Sequence, residues 1–493
     1  MRRYIKSSKH RISASAEMTK YGSDAWVGFM PALAGGDKPL PYEKEKRRKT
    51  SLPACIMILF FCVMYASVCS AADNSTQLTL EKAIAIALEQ NPGFKESGLG
   101  IQAAEHRRKA AGADFLPKVG TSYSYSRLNE PPRMKLPAGE LSPQSINAVM
   151  GAQNMYQWDL HVVQPLFTGG EIYNKYKLEK LGVDVARLKN EGARNDLIYN
   201  VKAAYFSILK AQKLREVARQ AVAQIQSHEK TASDFFQQEM IAKNDLLEAQ
   251  VRLAQAEQDL VRADQGVELA SAAFNTVLHQ DVNMAVEIAE TGEAQNLGLA
   301  LADYQSLALQ RRPVIGEIDT TIKQAQTGVK LAQSTYFPKA FLVSSYNRNG
   351  NQADVRGTPY QDPESWNVSM KLDWTFWEWG KKGNVVGEQK VKLLEAQEVK
   401  KEVVDNVMLQ VKAAWLRCQE NWRNINVSRT AIARAEENFR IYQNRFNQQM
   451  STTTDALDAQ TLLTHARSNY NNSLYDYLIS RAMLENAVAG EVK

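Results

Sequence analysis

Apolar positions along this chain follow two rhythms. In four short segments they alternate with polar ones. Trp366, Val368, Met370, Leu372 and Trp374 alternate with Asn367, Ser369, Lys371, Asp373 and Thr375, the period of two that marks a strand with one apolar and one wet face. Val119, Thr121, Tyr123 and Tyr125 alternate with Gly120, Ser122, Ser124 and Ser126, and Trp158, Leu160 and Val162 with Gln157, Asp159 and His161. A fourth segment, Ala340 to Tyr346, is less regular. Between these segments Ala, Leu and Val recur at steps of three and four, as coiled packing of helices requires.

The helical rhythm runs unbroken over two long stretches. No glycine or proline occurs between Ala193 and Gln265, nor in the 102 residues from Glu388 to Ala489, although the chain holds 26 Gly and 15 Pro. At about 1.5 Å per residue the second stretch would reach about 150 Å if straight, which is more than a compact domain holds, so it must fold back. Ser451, Thr452, Thr453 and Thr454 are weak helix formers that favour caps. They place the reversal at Met450 to Thr454, and the matching position earlier in the chain is Met240 to Asn244. Two long antiparallel helical hairpins are predicted.

The match between the two hairpins is part of a longer repeat. LTLEKAIAIALEQNPGFKE from Leu78 lies on LALADYQSLALQRRPVIGE from Leu299, and the same offset of 221 pairs Pro117 with Pro338, Lys118 with Lys339 and Tyr125 with Tyr346. An offset of 210 then sets VKAAYF from Val201 on VKAAWL from Val411, and DLLEAQ from Asp245 on DALDAQ from Asp455. A unit this long exceeds the periods of solenoids and propellers, so a whole module has been duplicated. The expected organisation is an N-terminal extension with a signal peptide over 1–72, a first repeat over 73–290 and a second over 291–493.

Roughly ten residues of alternation per strand, with aromatics at the ends (Trp374, Trp377, Trp379), is the pattern of a transmembrane β-barrel. Four strands cannot close one: the smallest membrane barrels have about eight, and an open edge in lipid strands backbone groups at several kcal/mol each. Several chains must therefore share a barrel. The linkers within each strand pair, Ser126 to Tyr156 and Asn347 to Ser365, are polar and rich in Pro and Gly and read as exposed outer loops.

Charge and cysteine usage fit export. KEKRRK at 44–49 precedes an apolar run from Cys55 to Val68, followed by Cys69, Ser70, Ala71 and Ala72. The run is too short for an inner-membrane anchor, which takes about 20 residues, and reads as a secretory signal peptide. Ala66, Ser67 and Val68 make a poor lipobox before Cys69, so acylation is not expected, and residues 1–43 are assigned no function. The chain has 60 basic and 54 acidic residues; removing 1–72, with 12 and 5, leaves 48 and 49. A mature chain this close to neutral gives no warrant for nucleic-acid binding. Three of the four cysteines fall in the signal region, leaving Cys418 with no internal disulfide partner.

Catalytic signatures are missing from the sequence. It holds no Walker loop or dinucleotide fingerprint, and His106, His161, His228, His279 and His465 form no metal-ligand pair at helical spacing. Lone histidines on helices are usually solvated or capping groups. Neither an enzyme nor a cofactor is expected.

The segments LTLEKAIAIALEQNP, FLPKVGTSYSYS, YFPKAFLVSSY and TDALDAQTLLTHARSNY, in that order and duplicated, resemble the TolC family of outer membrane efflux proteins from about Leu78 to Gly490. The resemblance implies a mainly α protein with a membrane β-barrel. In such a homotrimer, twelve strands form one barrel in outer membrane lipid and twelve long helices form a tunnel through the periplasm. It further implies that a periplasmic adaptor and an inner-membrane transporter dock at the inner end, and that cargo leaves without chemistry. The competing reading is a periplasmic adaptor, a coiled-coil structural protein of the same envelope machines. Adaptors carry one hairpin flanked by lipoyl and barrel domains, whereas this chain has two hairpins and no such Gly-rich β modules.

The same resemblance points to the hairpin turns. In the family, carboxylates at the start of the returning helices ring the periplasmic mouth, and the matching positions are Asp455 and Asp458, with Asn244 and Asp245 in the first repeat. Asp455 and Asp458 are three apart, on one helix face. The local alternative is that an acid in the first turn serves the helix dipole, with Thr452 and Asp455 as a capping box. The chain departs from the family where a tyrosine and an arginine tether the closed mouth: it has Phe446 and Ser451. Glu239 and Gln449 replace the usual glycine before each turn. Closure is therefore expected to rest on packing of Phe446 and Phe236 more than on salt bridges.

Overall fold

The computed structural model describes residues 77–139, 143–290 and 295–491. The predicted signal peptide and the extension before it lie outside the described residues.

The chain opens with two helices in tandem, α1 (Leu80–Gln90) and α2 (Pro92–Ala113). Thr79 caps the first by accepting the Lys82 N–H, and Asn91 ends it and caps the second by accepting from the Phe94 N–H. Pro92 sits at the first helical position, where a missing N–H costs nothing. Strands β1 (Lys118–Arg127), β2 (Arg133–Leu136), β3 (Ile146–Val149) and β4 (Asn154–Phe167) follow. The first hairpin is α3 (Glu171–Gln237) with α4 (Lys243–Leu278). The second half repeats the order with α5 (Leu301–Arg311), α6 (Pro313–Gln333), β5 (Lys339–Gly350), β6 (Glu364–Asp373), α7 (Lys381–Asn447) and α8 (Thr453–Val488).

The duplication is preserved to the residue in backbone geometry. The long helices α3 and α7 are both 67 residues, and α4 and α8 are both 36. Among the described residues, left-handed positions at the helix ends come in pairs one repeat apart, Gly169 and Trp379, Gly170 and Gly380, Glu239 and Gln449, His279 and Ala489, while Val355 and Gly357 of the second strand linker have no counterpart. The two offsets, 221 before the strands and 210 after them, are reconciled by a shorter strand linker in the second half.

Each long helix changes partners along its length. The first part of α3 packs on α2 and α6, where Gly316 leaves room for Leu188 and Lys189 pairs with Glu317. Its remainder packs on α4 and α8, tied by Lys202 to Glu485 (2.6 Å) and Lys210 to Asp476 (2.9 Å). Two cores stabilise the region between. Ala83, Val201, Tyr205, Phe274 and Leu278 form one, with the Tyr205 hydroxyl held at the Leu78 and Ala289 carbonyls. The other comprises Tyr304, Val411, Cys418, Tyr477 and Leu484. Burial pushes the Cys418 thiol up to about 12, so it packs as a small hydrophobe.

The strands form one antiparallel sheet in the order β1-β4-β5-β6. Its register sorts the side chains onto two faces: Thr121 pairs Leu160, Leu160 pairs Tyr346, and Tyr346 pairs Trp366. One face thus carries Val119, Tyr123, Trp158, Leu160, Tyr346, Val368 and Met370, and the other Ser122, Gln157, Asp159, His161, Ser345 and Asn367. That is the predicted alternation. The structure differs in two places. The first strand linker, read as a loop, contains a small antiparallel hairpin of β2 and β3, and β4 and β5 extend beyond the alternating cores, with Pro165 placed at a register shift. Trp374, Trp377 and Trp379 all follow the end of β6, in the turn leading to α7.

Candidate gate at the hairpin tips

The ends of the two hairpins are built alike. At the first, the Met240 N–H donates to the Phe235 carbonyl (2.8 Å) and Glu239 N–H to Phe236 (2.9 Å); at the second, Met450 donates to Arg445 and Gln449 to Phe446, both at 2.8 Å. This pair of bonds is the Schellman closure of a helix, which needs a left-handed residue after the cap. Glu239 and Gln449 fill that position at φ 59° and 61°. The residues standing in for glycine therefore keep glycine's geometry, at a steric cost that any side chain with a Cβ carries there.

The returning helices start differently. Thr452 caps α8 with a capping box: its hydroxyl accepts the Asp455 N–H (3.1 Å), and Asp455 accepts the Thr452 N–H (3.1 Å) and hydroxyl (2.8 Å). These bonds hold the Asp455 carboxyl below the usual carboxylate range. In the first repeat the cap is Ala242, which has no side-chain acceptor to offer. Asp245 stands in the first turn of α4 and accepts from Asn244 (3.2 Å).

Asp458 faces another element. Its carboxylate pairs with Arg252 of α4 at 3.4 Å, and the neighbouring Thr454 hydroxyl donates to Glu248 of α4 at 2.9 Å. The Gln449 amide reaches the Met240 sulfur (2.8 Å), tip to tip. The structure thus places Asp455 in a cap and Asp458 in a cross-hairpin ion pair. Ser451 donates to the Tyr442 carbonyl of its own hairpin (3.3 Å).

Phe446 is 2 % exposed and forms a cluster with Ala232, Ala249, Ala456 and Leu457, flanked by Phe235 and Leu246. Its aromatic neighbours are Phe235 (centroids 5.6 Å) and His228 (4.3 Å) of α3. Phe236, one repeat earlier, lies outside that cluster, and the phenylalanine of α3 that Phe446 meets is Phe235. Sequence reasoning missed Arg252, Glu248 and His228. Their partners come from helices distant in sequence, and no spacing along the chain announces them.

Among the described residues no cluster of His, Cys, Asp and Glu could hold a metal, and no helix is long and apolar enough to cross a membrane. A two-faced sheet carried on long paired helices is the architecture of an envelope channel chain. The chain belongs to the outer membrane efflux protein family, whose model matches residues 83–278 and 305–490, one block in each repeat. It is 21 % identical to the outer membrane protein TolC of Escherichia coli over 437 residues, covering 85 % of this chain and 83 % of that one. Among solved structures, CusC superposes with a TM-score of 0.72 at 15 % identity, covering 84 % of this chain and 93 % of the other. The CmeC outer membrane channel of Campylobacter jejuni superposes with 0.69 at 18 %, covering 84 % and 86 %. The protein is an outer membrane efflux channel of a Gram-negative envelope, in a family of channels rather than enzymes, with its helical part in the periplasm.

Proposed function

We propose that three copies of this chain form one passive exit duct across the outer membrane and periplasm, receiving cargo from an inner-membrane transporter through a periplasmic adaptor. The observation that carries this reading is the four-stranded sheet with apolar and polar faces, whose outer strands β1 and β6 have no further strand beside them among the described residues. In lipid both edges must be paired, and the same edges of further copies supply that pairing in a ring. Three copies give twelve strands, within the range of known membrane barrels.

The hairpin tips are then the periplasmic mouth. Asp455, Asp458 and Asp245, with Asn244, Phe446 and Ser451 beside them, form its gate, and the carboxylates of three chains attract cations there. The groove of about 590 Å³ between α4 and α8, floored by Val217 and Ala221 of α3, suits the helices of an adaptor. The two helical hairpins, α3 with α4 and α7 with α8, count against the adaptor reading, which expects one. Mass determination in detergent tests the assembly: a trimer is expected, and a monodisperse monomer refutes the shared barrel.

A further inference from the structure

Of the five histidines in the described residues, only His228 is buried, at 4 % exposure. It lies on α3, and its imidazole stacks on the ring of Phe446 from α7 with planes inclined by 38°. Phe446 in turn packs on Ala249 of α4 and on Ala456 and Leu457 of α8, so the stack stands where the helices of both hairpins meet. Nε2 of His228 has no hydrogen-bond partner among the described residues. Buried nitrogens without partners are uncommon and call for a reason.

The charged groups around it are engaged elsewhere or turned to solvent. On α3, Glu229 accepts from Gln250, while Lys230 and Asp234 are exposed. On α4, Glu248 takes the Thr454 hydroxyl and Arg252 takes Asp458 of α8, where Asp455 is occupied by the cap. On α7, Arg445 is exposed and Arg440 is bound to Glu437. Among the described residues no charged group is placed to neutralise an imidazolium.

We propose that His228 is a proton-operated latch: neutral, it seats Phe446 and holds the two hairpin tips together, and protonated, it leaves the cluster and lets them part. The proposal rests on the tips being the gate of the duct. Burial alone lowers the imidazole's pKa from 6.5 to about 4, because charging it there strips its hydration without a counter-charge. Stacking of an imidazolium on Phe446 would return part of that loss. A base with a depressed value favours the joined state fully above pH 6.5, and that contribution fades as the pH falls towards 4. Between pH 7.5 and 5 the ratio of joined to parted tips should fall about 30-fold per chain.

The test uses the full mature protein in detergent with spin labels on Met240→Cys and Met450→Cys substitutions, one at each tip and both exposed, and Cys418→Ala as background. Distances between tips are measured from pH 7.5 to 4.5, above the range where most surface carboxylates are protonated. The distances should lengthen within this window, and His228→Phe, which keeps the stack without the proton site, should hold them short. If His228→Phe does not assemble, His228→Gln, neutral at every pH, serves instead. Constant distances in the unsubstituted-His228 protein, or equal lengthening in the His228 variant, overturn the latch. Absence of current in bilayers would refute the duct while leaving the distance measurement valid.

Discussion

Phe446 offers a direct way to weaken the junction of the tips. Truncating a fully buried Phe to Ala costs about 3–5 kcal/mol through lost transfer energy and the cavity left behind, and Phe446 at 2 % exposure is such a site. Only part of that loss falls between the hairpins, because Ala456 and Leu457 belong to the same hairpin as Phe446, while His228, Phe235, Ala232 and Ala249 belong to the other. Assigning about half to the cross-hairpin contact leaves roughly 2 kcal/mol per chain, a shift of about 30-fold in the balance of joined against parted tips. Phe446→Ala should therefore raise single-channel conductance in planar bilayers, and Phe446→Asp should raise it further. Phe236→Ala, one repeat earlier and outside the cluster, is the control and should leave conductance near the unsubstituted value. If Phe446→Ala conducts like the parent while the protein melts earlier, the residue is core alone and the constriction lies elsewhere.

Three further outcomes follow from the tips. Glu239→Gly and Gln449→Gly, at φ 59° and 61°, should each raise stability to heat or urea by up to about 1 kcal/mol by removing left-handed strain, and a loss in both would show that the side chains matter more than the backbone. Ala242→Ser supplies the acceptor that Thr452 provides in the other repeat and should stabilise the start of α4 by about 1 kcal/mol in the same melts, with Thr452→Ala costing about as much. Asp455→Ala with Asp458→Ala should lower cation selectivity, read as the reversal potential in a salt gradient, whereas Arg252→Ala, which frees the Asp458 carboxylate, should increase it; unchanged potentials in both would remove the carboxylates from the gate.

The strand faces and the hairpin reversals were legible because each is set by local rules. A period of two fixes which side of a sheet a residue takes, and the row in which Leu160 pairs Tyr346 and Tyr346 pairs Trp366 follows that pattern. The run of Ser451 to Thr454 marked the second reversal because a hydroxyl that can cap, followed by an acid three residues on, is a local signature, and Thr452 with Asp455 realises it. The β2–β3 hairpin was hidden by prolines and charges on very short strands. The ion pair of Arg252 with Asp458 and the stack of His228 on Phe446 join residues more than 200 positions apart. Helical periodicity says which residues face inward and does not say which helix they meet. For Phe446 the residue met across the hairpins is Phe235 of α3, a neighbour that no spacing along the chain announces.

The bare edges of β1 and β6 also constrain how this protein comes into being. A single chain has no stable place in the bilayer, since entering would strand the backbone groups of two strands, and in water its apolar sheet face invites contact with any other exposed strand. On the proposed shared barrel, membrane insertion has to accompany assembly rather than precede it. Its rate should rise more steeply than linearly with the number of newly exported chains, and slow synthesis should accumulate a precursor whose helices have formed while its strands wait, the species most exposed to envelope proteases.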